Sequence, residues 1–136
     1  MTESEGIIDN QIAHSADPID SRYDEGYFHG RGSGYGHEGY EKEHADWSEL
    51  IQWVQLQYEE SIRWLDLGCA YGYLIEQAVD LGVEAFGLDI SSYALRQVKK
   101  VRGRAIRGRA DRLPFLPNSF DVVSLFDLIE HLENPN

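Results

Sequence analysis

The sequence runs Arg63-Trp-Leu-Asp-Leu-Gly-Cys-Ala-Tyr-Gly72 and, after a helix-sized gap, Phe86-Gly-Leu-Asp-Ile-Ser91, and this stretch decides the fold. Its first part is a short apolar run that ends in a loop bracketed by Gly68 and Gly72. Glycines in such a loop let backbone N–H groups approach a ligand closely. The pattern therefore predicts a buried strand followed by a ligand-binding turn.

A helix and a second strand are expected directly after this turn. Apolar residues recur at helical spacing from Tyr71 to Leu81, and Gly82 follows where helices often end in a left-handed residue. An extended pattern resumes at Val83 and ends at Asp89. A carboxylate about 20 residues beyond a glycine loop, at the tip of the second strand, is where nucleotide-binding folds hold ribose hydroxyls.

The glycine loop carries a resemblance to a known family. Asp66-Leu-Gly-Cys-Ala-Tyr-Gly72 resembles the D-x-G-x-G-x-G motif of class I S-adenosylmethionine-dependent methyltransferases, and Gly87-Leu-Asp-Ile-Ser91 is similar to their second motif. Ala70 stands in place of the middle glycine, a frequent replacement that implies a tighter fit against the cofactor. The alternatives are a dinucleotide-binding fold, whose fingerprint is G-x-G-x-x-G, and a strand-turn-helix without a ligand. The spacing G-x-A-x-G, with an acid two positions before the first glycine, favours the methyltransferase.

Length and composition bound the protein class. At 136 residues, 42% of them hydrophobic, the chain makes one domain at most. No apolar run approaches the roughly 18 residues of a membrane span, and the N-terminus is acidic, which predicts a cytoplasmic protein with no membrane partner. The single cysteine, Cys69, excludes an intramolecular disulfide and favours a packing role. His29 and His37 have no companions at metal-site spacing, so no metal is expected.

The charge is unevenly distributed along the chain. Almost all of the net charge of −12 lies in residues 1–60. A basic cluster at residues 96–112 can mark an RNA partner. However, no aromatic residues interleave with it as base stacking would require, and cations at a helix C-terminus complement the helix dipole. The pattern does not favour a nucleic-acid partner.

Before the glycine loop the sequence divides into two segments and a first core helix. Residues 1–20 are expected to be a disordered acidic leader. Residues 21–40 alternate glycine with aromatic residues, and a lid over the cofactor and substrate is the interpretation by analogy with the family, a surface loop the alternative. From Glu41 to Tyr58 an amphipathic helix is expected, with its apolar face formed by Trp47, Leu50, Ile51, Val54 and Tyr58.

The remaining elements follow the same alternation. A further helix is predicted from an N-cap at Ser91 or Ser92 to Val101, followed by a short strand at Ala105 and Ile106. The near-continuous apolar run from Ser119 to Phe126 predicts a buried strand of a parallel sheet. This run resembles the fourth strand of the methyltransferases.

The resemblance implies a set of site residues. Asp66 would orient the loop or the cofactor's amino group, and Asp89 would take the ribose hydroxyls. His131 is either a general base, with an ordinary pKa of about 6.5 near working pH, or a helix-packing residue. The other implied contacts are Gly68, Ala70 and Gly72 with the amino-acid part of the cofactor, Asp111, Ile90 and Leu113 with the adenine, and Phe126 and Asp127 with the methionine half.

We therefore expect an α/β, Rossmann-like, doubly wound and mostly parallel sheet with right-handed crossovers. Residues 41–136 would form the N-terminal part of an S-adenosylmethionine-binding domain with four of the family's seven strands, so the chain is expected to be a fragment with an apolar edge at strand four. The implied function is methyl transfer from S-adenosylmethionine to an oxygen, nitrogen or carbon of a small molecule. A non-catalytic cofactor-binding remnant and a nicotinamide-dependent oxidoreductase are the alternatives. The oligomeric state is not predicted.

Overall fold

The computed structural model describes residues 22–29, 45–126 and 128 of the chain. The predicted leader, residues 30–40 of the lid-like segment, and Asp127, Glu130 and His131 lie outside the described residues. Within the described ranges no helix is long and apolar enough to cross a membrane.

A four-stranded parallel sheet forms the centre of the fold. Its strands are β1 (Arg63–Leu67), β2 (Glu84–Asp89), β3 (Ala105–Arg107) and β4 (Val122–Ser124). They lie in the order β3-β2-β1-β4 and all three pairings are parallel. The order reverses between β1 and β4, which is the topological switch point where open α/β sheets bind ligands. The predicted α/β, Rossmann-like parallel sheet is confirmed.

Among the described residues, four α-helices accompany the sheet. They are α1 (Glu25–His29), α2 (Ser48–Gln55), α3 (Tyr73–Asp80) and α4 (Ser92–Gln97). The helix after β1 ends as predicted, because Gly82 has a left-handed φ of +83° just beyond it. The predicted N-cap of α4 is also confirmed, since the Ser91 side chain accepts a hydrogen bond from the Ala94 N–H at 3.0 Å.

The helix predicted to reach Val101 ends four residues earlier, at Gln97. Val98 leaves the helix with an extended backbone and is buried. A Cβ added to Gly72 would lie 3.4 Å from Val98 and 3.5 Å from Val101, so both valines pack beneath the glycine loop. Burial of two β-branched residues at this point outweighs the continuation of the helix. A 3₁₀ turn at Arg102–Arg104 leads into β3.

The α2 helix is anchored to α3 by polar side chains as well as by its apolar face. Ile51 is fully buried, and the Gln55 amide donates to the Leu81 carbonyl at 3.0 Å. The Trp47 N–H donates to Gln77 Oε1 at 2.7 Å. The placement of Tyr58 on the apolar face is wrong, because the helix ends at Gln55 and Tyr58 is exposed, with its hydroxyl 3.3 Å from the Asp121 carbonyl oxygen.

The two faces of the sheet carry separate apolar clusters. Alternate residues of β1 point to opposite faces, so Trp64 packs with Ile51 and Ile75, whereas Leu65 packs with Phe86 and Leu88. Close approach of α3 to the sheet needs a glycine in β2. A Cβ at Gly87 would lie 2.3 Å from Ile75 and 2.7 Å from Cys69.

The last described strand differs from its prediction. The sequence predicted a buried strand from Ser119 to Phe126, but β4 spans only Val122–Ser124, and Val123 is 46% exposed. Leu125 and Phe126 are exposed as well. Within the described residues β4 pairs with β1 alone.

Candidate cofactor site

The glycine loop at Gly68–Gly72 lies at the switch point, directly after β1. The N–H groups of Gly68 and Cys69 both donate to the Leu88 carbonyl, at 2.8 and 3.1 Å, which ties the loop to β2. Gly68 and Gly72 have left-handed φ values of +76° and +80°. The motif therefore has glycine at two positions whose backbone conformation favours it. Gly72 is also the N-cap of α3, which has no side-chain hydrogen bond there.

Ala70, at the position of the family's middle glycine, adopts a left-handed φ of +49°. An L-residue in this region costs about 1 kcal/mol relative to glycine. The alanine methyl is buried in a cluster with Phe28, Tyr71 and Ala94, and the Ala70 N–H donates to Asp89 Oδ2 at 2.8 Å. These contacts hold the residue in its unfavourable conformation.

Asp89 lies at the tip of β2, as the sequence predicted. Its Oδ2 accepts the Ala70 bond, and its Oδ1 accepts a hydrogen bond from the Ser91 N–H at 2.8 Å. One carboxylate thus connects the glycine loop to the start of α4. Ile90 follows it and is partly buried, with its carbonyl oxygen 3.3 Å from Arg107 Nε.

Asp66 points to the same face of β1 as Trp64 and is only 6% exposed. Its Oδ1 accepts a hydrogen bond of 2.6 Å from the hydroxyl of Ser124, the residue paired with it on β4. The pKa of Asp66 is raised to about 7, chiefly by burial; the bond from Ser124 lowers it, and the charge of Asp89 raises it by less than burial does. Asp66 is therefore a carboxylate whose charge changes near neutral pH.

Cys69 lies between these two acids and is buried. Burial raises the pKa of its thiol well above the usual range, and the charges of Asp89 and Asp66 act in the same direction. A thiol held neutral is a poor nucleophile. This environment agrees with the expectation of a packing role. Cys69 also packs directly against Gly87.

Asp111 and Leu113 lie on the turn that follows β3. The Asp111 carboxylate accepts two hydrogen bonds from Arg109, at 2.7 and 2.6 Å. The bonds from Arg109 hold the pKa of Asp111 below its usual value. Leu113 is 38% exposed, which leaves an apolar surface beside the turn. The assignment of these residues to the adenine stays a prediction.

The aromatic segment at residues 22–29 packs against the glycine loop. Phe28 is buried, with its ring 5.2 Å from that of Tyr71 and 5.9 Å from that of Tyr93. His29 Nε2 lies 3.0 Å from the Tyr71 hydroxyl. The Ser91 hydroxyl donates to the Tyr23 carbonyl oxygen. These contacts place α1 over the loop and over the start of α4.

The end of β4 completes the border of the site. A Cβ added to Gly68 would lie 3.3 Å from Leu128 Cδ1, so Leu128 packs on the glycine loop. The Phe126 ring stacks on Trp47 at a centroid distance of 4.4 Å. Phe126 therefore lies at the carboxyl end of β4, where the sequence predicted it. No group of three or more possible metal ligands occurs in the parts of the chain that the structure describes.

Comparison with known proteins decides the family. Residues 65–136, more than half of the chain, match the family described as "Methyltransferase domain". The chain belongs to this methyltransferase family. The match begins inside β1 and includes the glycine loop, Asp89 and β4, which are the elements that form the candidate site.

Curated relatives of this methyltransferase domain include ubiquinone biosynthesis O-methyltransferases. The protein from Albidiferax ferrireducens is 30% identical over 82 residues, which cover 52% of this chain and 31% of the relative. The mitochondrial protein from Schizosaccharomyces pombe is 35% identical over 80 residues, which cover 52% of this chain and 29% of the relative. The chain thus spans about a third of the length of the curated relatives it matches.

Solved structures show the same fold. The plantazolicin methyltransferase BpumL, in complex with a monoazolic desmethylPZN analog and SAH, matches with a TM-score of 0.53 and 22% identity, covering 65% of this chain and 36% of that chain. The glycopeptide N-methyltransferase MtfA, complexed with sinefungin, matches with a TM-score of 0.52 and 23% identity, covering 68% of this chain and 42% of that chain. These matches place the methyltransferase domain in the Rossmann-like fold.

Sequence reasoning missed three residues of the candidate site. Ser124 bonds Asp66, and Tyr71 and Tyr93 receive the aromatic segment. A serine inside the apolar run from Val122 to Phe126 was the available signal for Ser124. Tyr71 stands in the glycine loop and Tyr93 in the helix predicted after Ser91, and the sequence assigned neither to the site.

Proposed function

We propose that this domain binds S-adenosylmethionine and transfers its methyl group to a small-molecule nucleophile. The observation that carries the proposal is the pair of carboxylates, Asp66 and Asp89, on either side of a glycine loop at the switch point. Names of the curated relatives support an oxygen as the acceptor atom.

The charge of the site distinguishes two cofactor classes. A dinucleotide brings a pyrophosphate to the glycine loop, where the negative charge of Asp66 would repel it. S-adenosylmethionine has an ammonium group and a sulfonium, and both are attracted by carboxylates. Asp66, the acid before the loop, therefore favours the methyltransferase cofactor over the nicotinamide alternative, whereas an acid at the position of Asp89 suits the ribose of either cofactor.

The residues present fit the parts of this cofactor. Asp89 would accept hydrogen bonds from the ribose hydroxyls, and Asp66 would bind or orient the amino group. The uncapped N-terminus of α3 at Gly72 favours a carboxylate there through the helix dipole. Asp111, Ile90 and Leu113 would form the adenine contacts, and Phe126 and Asp127 the methionine side.

Catalysis in such a site rests on positioning. The bound cofactor supplies a methyl group already activated by the sulfonium charge. The chain would hold the donor in line with the nucleophile and exclude water around it. His131 is proposed to remove the proton from a substrate hydroxyl, with helix packing as its alternative role.

The cofactor proposal predicts selective binding. In calorimetric titrations of the purified chain, S-adenosylhomocysteine should bind saturably with 1:1 stoichiometry, whereas NADH should not bind. Circular dichroism before each titration shows that the chain is folded. A folded chain that binds neither compound would contradict the proposal, and binding of NADH alone would favour the oxidoreductase.

The aromatic segment is proposed to act as part of a lid. Residues 22–29 contact the glycine loop through Phe28 and His29, and the start of α4 through Tyr23. Because these contacts lie beside Ala70 and Asp89, closure of the segment would cover a cofactor held there. Ligand binding and docking of the segment should then stabilise each other reciprocally.

Phe28→Ala is expected to weaken S-adenosylhomocysteine binding severalfold and to abolish protection of amides 22–29 from hydrogen exchange. Each aromatic pair that Phe28 makes contributes about 0.5–1.5 kcal/mol to docking beyond burial. Trp53→Ala is the control, because Trp53 is an exposed aromatic residue of α2. Tighter binding in Phe28→Ala would mean that the segment occupies the site rather than covers it, and unchanged binding would exclude a lid.

A further inference from the structure

A buried polar chain crosses from β1 to β4 beneath the glycine loop. The Trp64 indole Nε1–H lies 2.9 Å from Ser124 Oγ, and Ser124 Oγ lies 2.6 Å from Asp66 Oδ1. All three residues are less than 8% exposed. Buried polar side chains in an otherwise apolar sheet are costly unless every group is paired.

The chemistry of the three groups decides which one donates and which one accepts in each hydrogen bond. An indole N–H can only donate, so Ser124 Oγ accepts from Trp64. The single hydroxyl proton of Ser124 is then directed at Asp66, the acceptor that lies within hydrogen-bond distance. The 2.6 Å separation is typical of a hydroxyl donating to a carboxylate ion. Trp64 thus fixes the rotation of the Ser124 hydroxyl.

This bond leaves the two oxygens of Asp66 with different tasks. Oδ1 is engaged by Ser124, whereas Oδ2 has no hydrogen-bond partner in the described part of the chain. Cα pairing in register places Ser124 directly opposite Asp66, so the strand pairing itself sets the orientation of the carboxylate. The bond to Ser124 restrains the Asp66 carboxylate and leaves Oδ2 for a ligand cation.

We propose that Ser124, oriented by Trp64, is a positioning residue for Asp66 that aims its carboxylate at the cationic end of the cofactor. The inference rests on the proposed function for its ligand, but the interaction within the chain can be tested without one. Ser124 does not touch the reacting atoms in this proposal and acts only through Asp66.

The groups around Asp66 define the expected pH dependence. Asp89 faces it from β2 and raises its pKa, and the Cys69 thiol in the loop has a pKa far above neutral. Ser124 is the neighbour that lowers the pKa of Asp66. Protonation of Asp66 removes the attraction for an ammonium group, so cofactor affinity should fall as the pH drops below about 7.

The test is a pH profile of S-adenosylhomocysteine affinity between pH 5 and pH 9. In the wild type, affinity should fall about tenfold per pH unit below a break near the Asp66 pKa. Ser124→Ala should move this break upward by about one pH unit, because a hydrogen bond to a charged group is lost. Ser124→Thr retains the hydroxyl and should leave the break in place. Asp66→Asn should remove it.

Two further arms keep the outcome decisive. His29 contacts Tyr71 of the glycine loop, so a break that persists in Asp66→Asn but vanishes in His29→Asn would assign it to His29 and overturn the proposal. Trp64→Phe removes the indole donor and should shift the break in the same direction as Ser124→Ala. If Ser124→Ala does not fold, Trp64→Phe and Ser124→Thr decide the matter.

A ligand-free measurement separates this inference from the function. The side-chain carboxyl carbon of Asp66, observed by NMR, should titrate about one pH unit higher in Ser124→Ala than in the wild type. If S-adenosylhomocysteine fails to bind but this shift occurs, the proposed function is wrong and the Ser124 interaction stands. An unchanged Asp66 titration overturns the inference, whatever the chain binds.

Discussion

Asp89→Ala is expected to weaken binding of S-adenosylhomocysteine by ten- to hundredfold. A hydrogen bond to a charged acceptor is worth about 1.5–3 kcal/mol, and each 1.36 kcal/mol is a factor of ten, so the loss of a single ribose contact already reaches tenfold. The substitution also removes the carboxylate that the Ala70 and Ser91 N–H groups share. The loop would then lose part of its preorganisation in addition to its ribose ligand.

A loss of stability can be separated from a loss of cofactor affinity with a matched control. Asp121 is an aspartate that also accepts a backbone hydrogen bond, from the Arg63 N–H at 2.7 Å, at the amino end of β1 away from the candidate site. Asp121→Ala should therefore lower the melting temperature without a change in cofactor affinity. Asp89→Ala should change both. Equal affinity of folded wild type and Asp89→Ala in calorimetry would contradict the assignment of Asp89 to the cofactor.

Local sequence signals predicted the parts of the site that depend on a few neighbouring residues. Gly68, Gly72 and Gly82 stand at left-handed positions, and Ser91 caps a helix. Each of these features is decided within one turn of chain. The position of Asp89 at the end of its strand was likewise visible in the change from apolar to polar residues. For this reason the location of the loop was predictable.

Long-range features were not predictable in the same way. Ser124 meets Asp66 only because β4, 58 residues away in sequence, pairs with β1 in a particular register. A shift of one residue would turn Ser124 to the other face of the sheet. Similarly, Val98 leaves its helix because Gly72 provides space beneath the loop. The local sequence pattern contains no information about either contact. A prediction from helix propensity alone therefore made α4 too long.

Asp66→Asn is expected to stabilise the folded chain at pH 8 and to destabilise it at pH 4. The pKa of Asp66 is raised from an ordinary 3.8 to about 7. Between these two values the folded state retains a proton that the unfolded state has lost, so the stability of the wild type falls as the pH rises through this window. Three pH units correspond to a change on the order of 4 kcal/mol. Asparagine cannot ionise and should not show this loss.

Asp66→Asn is expected to destabilise the folded chain at pH 4 because of a second contribution, the unpaired amide of the asparagine. The asparagine Oδ1 can still accept from Ser124, but its amide N–H groups gain no described acceptor, and a buried unpaired donor costs about 1–3 kcal/mol at every pH. This cost dominates at pH 4, where Asp66 is protonated in the folded chain and about half protonated in the unfolded chain, so that its raised pKa changes the stability little. At pH 8 the removal of a buried charge outweighs it. Urea denaturation of both proteins across this range, without cofactor, measures the difference directly.

Asp111, a surface aspartate whose pKa is lowered rather than raised, provides the control. Arg109 lowers the pKa of Asp111, so any stability that this carboxylate contributes is present above its ordinary pKa and lost on acidification. Asp111→Asn should therefore show no gain at pH 8. If Asp66→Asn follows the wild type in parallel from pH 4 to pH 8, the folded chain does not bury a titrating Asp66. If it is stabilised at pH 8 but no longer binds S-adenosylhomocysteine, the charge costs stability and serves ligand binding.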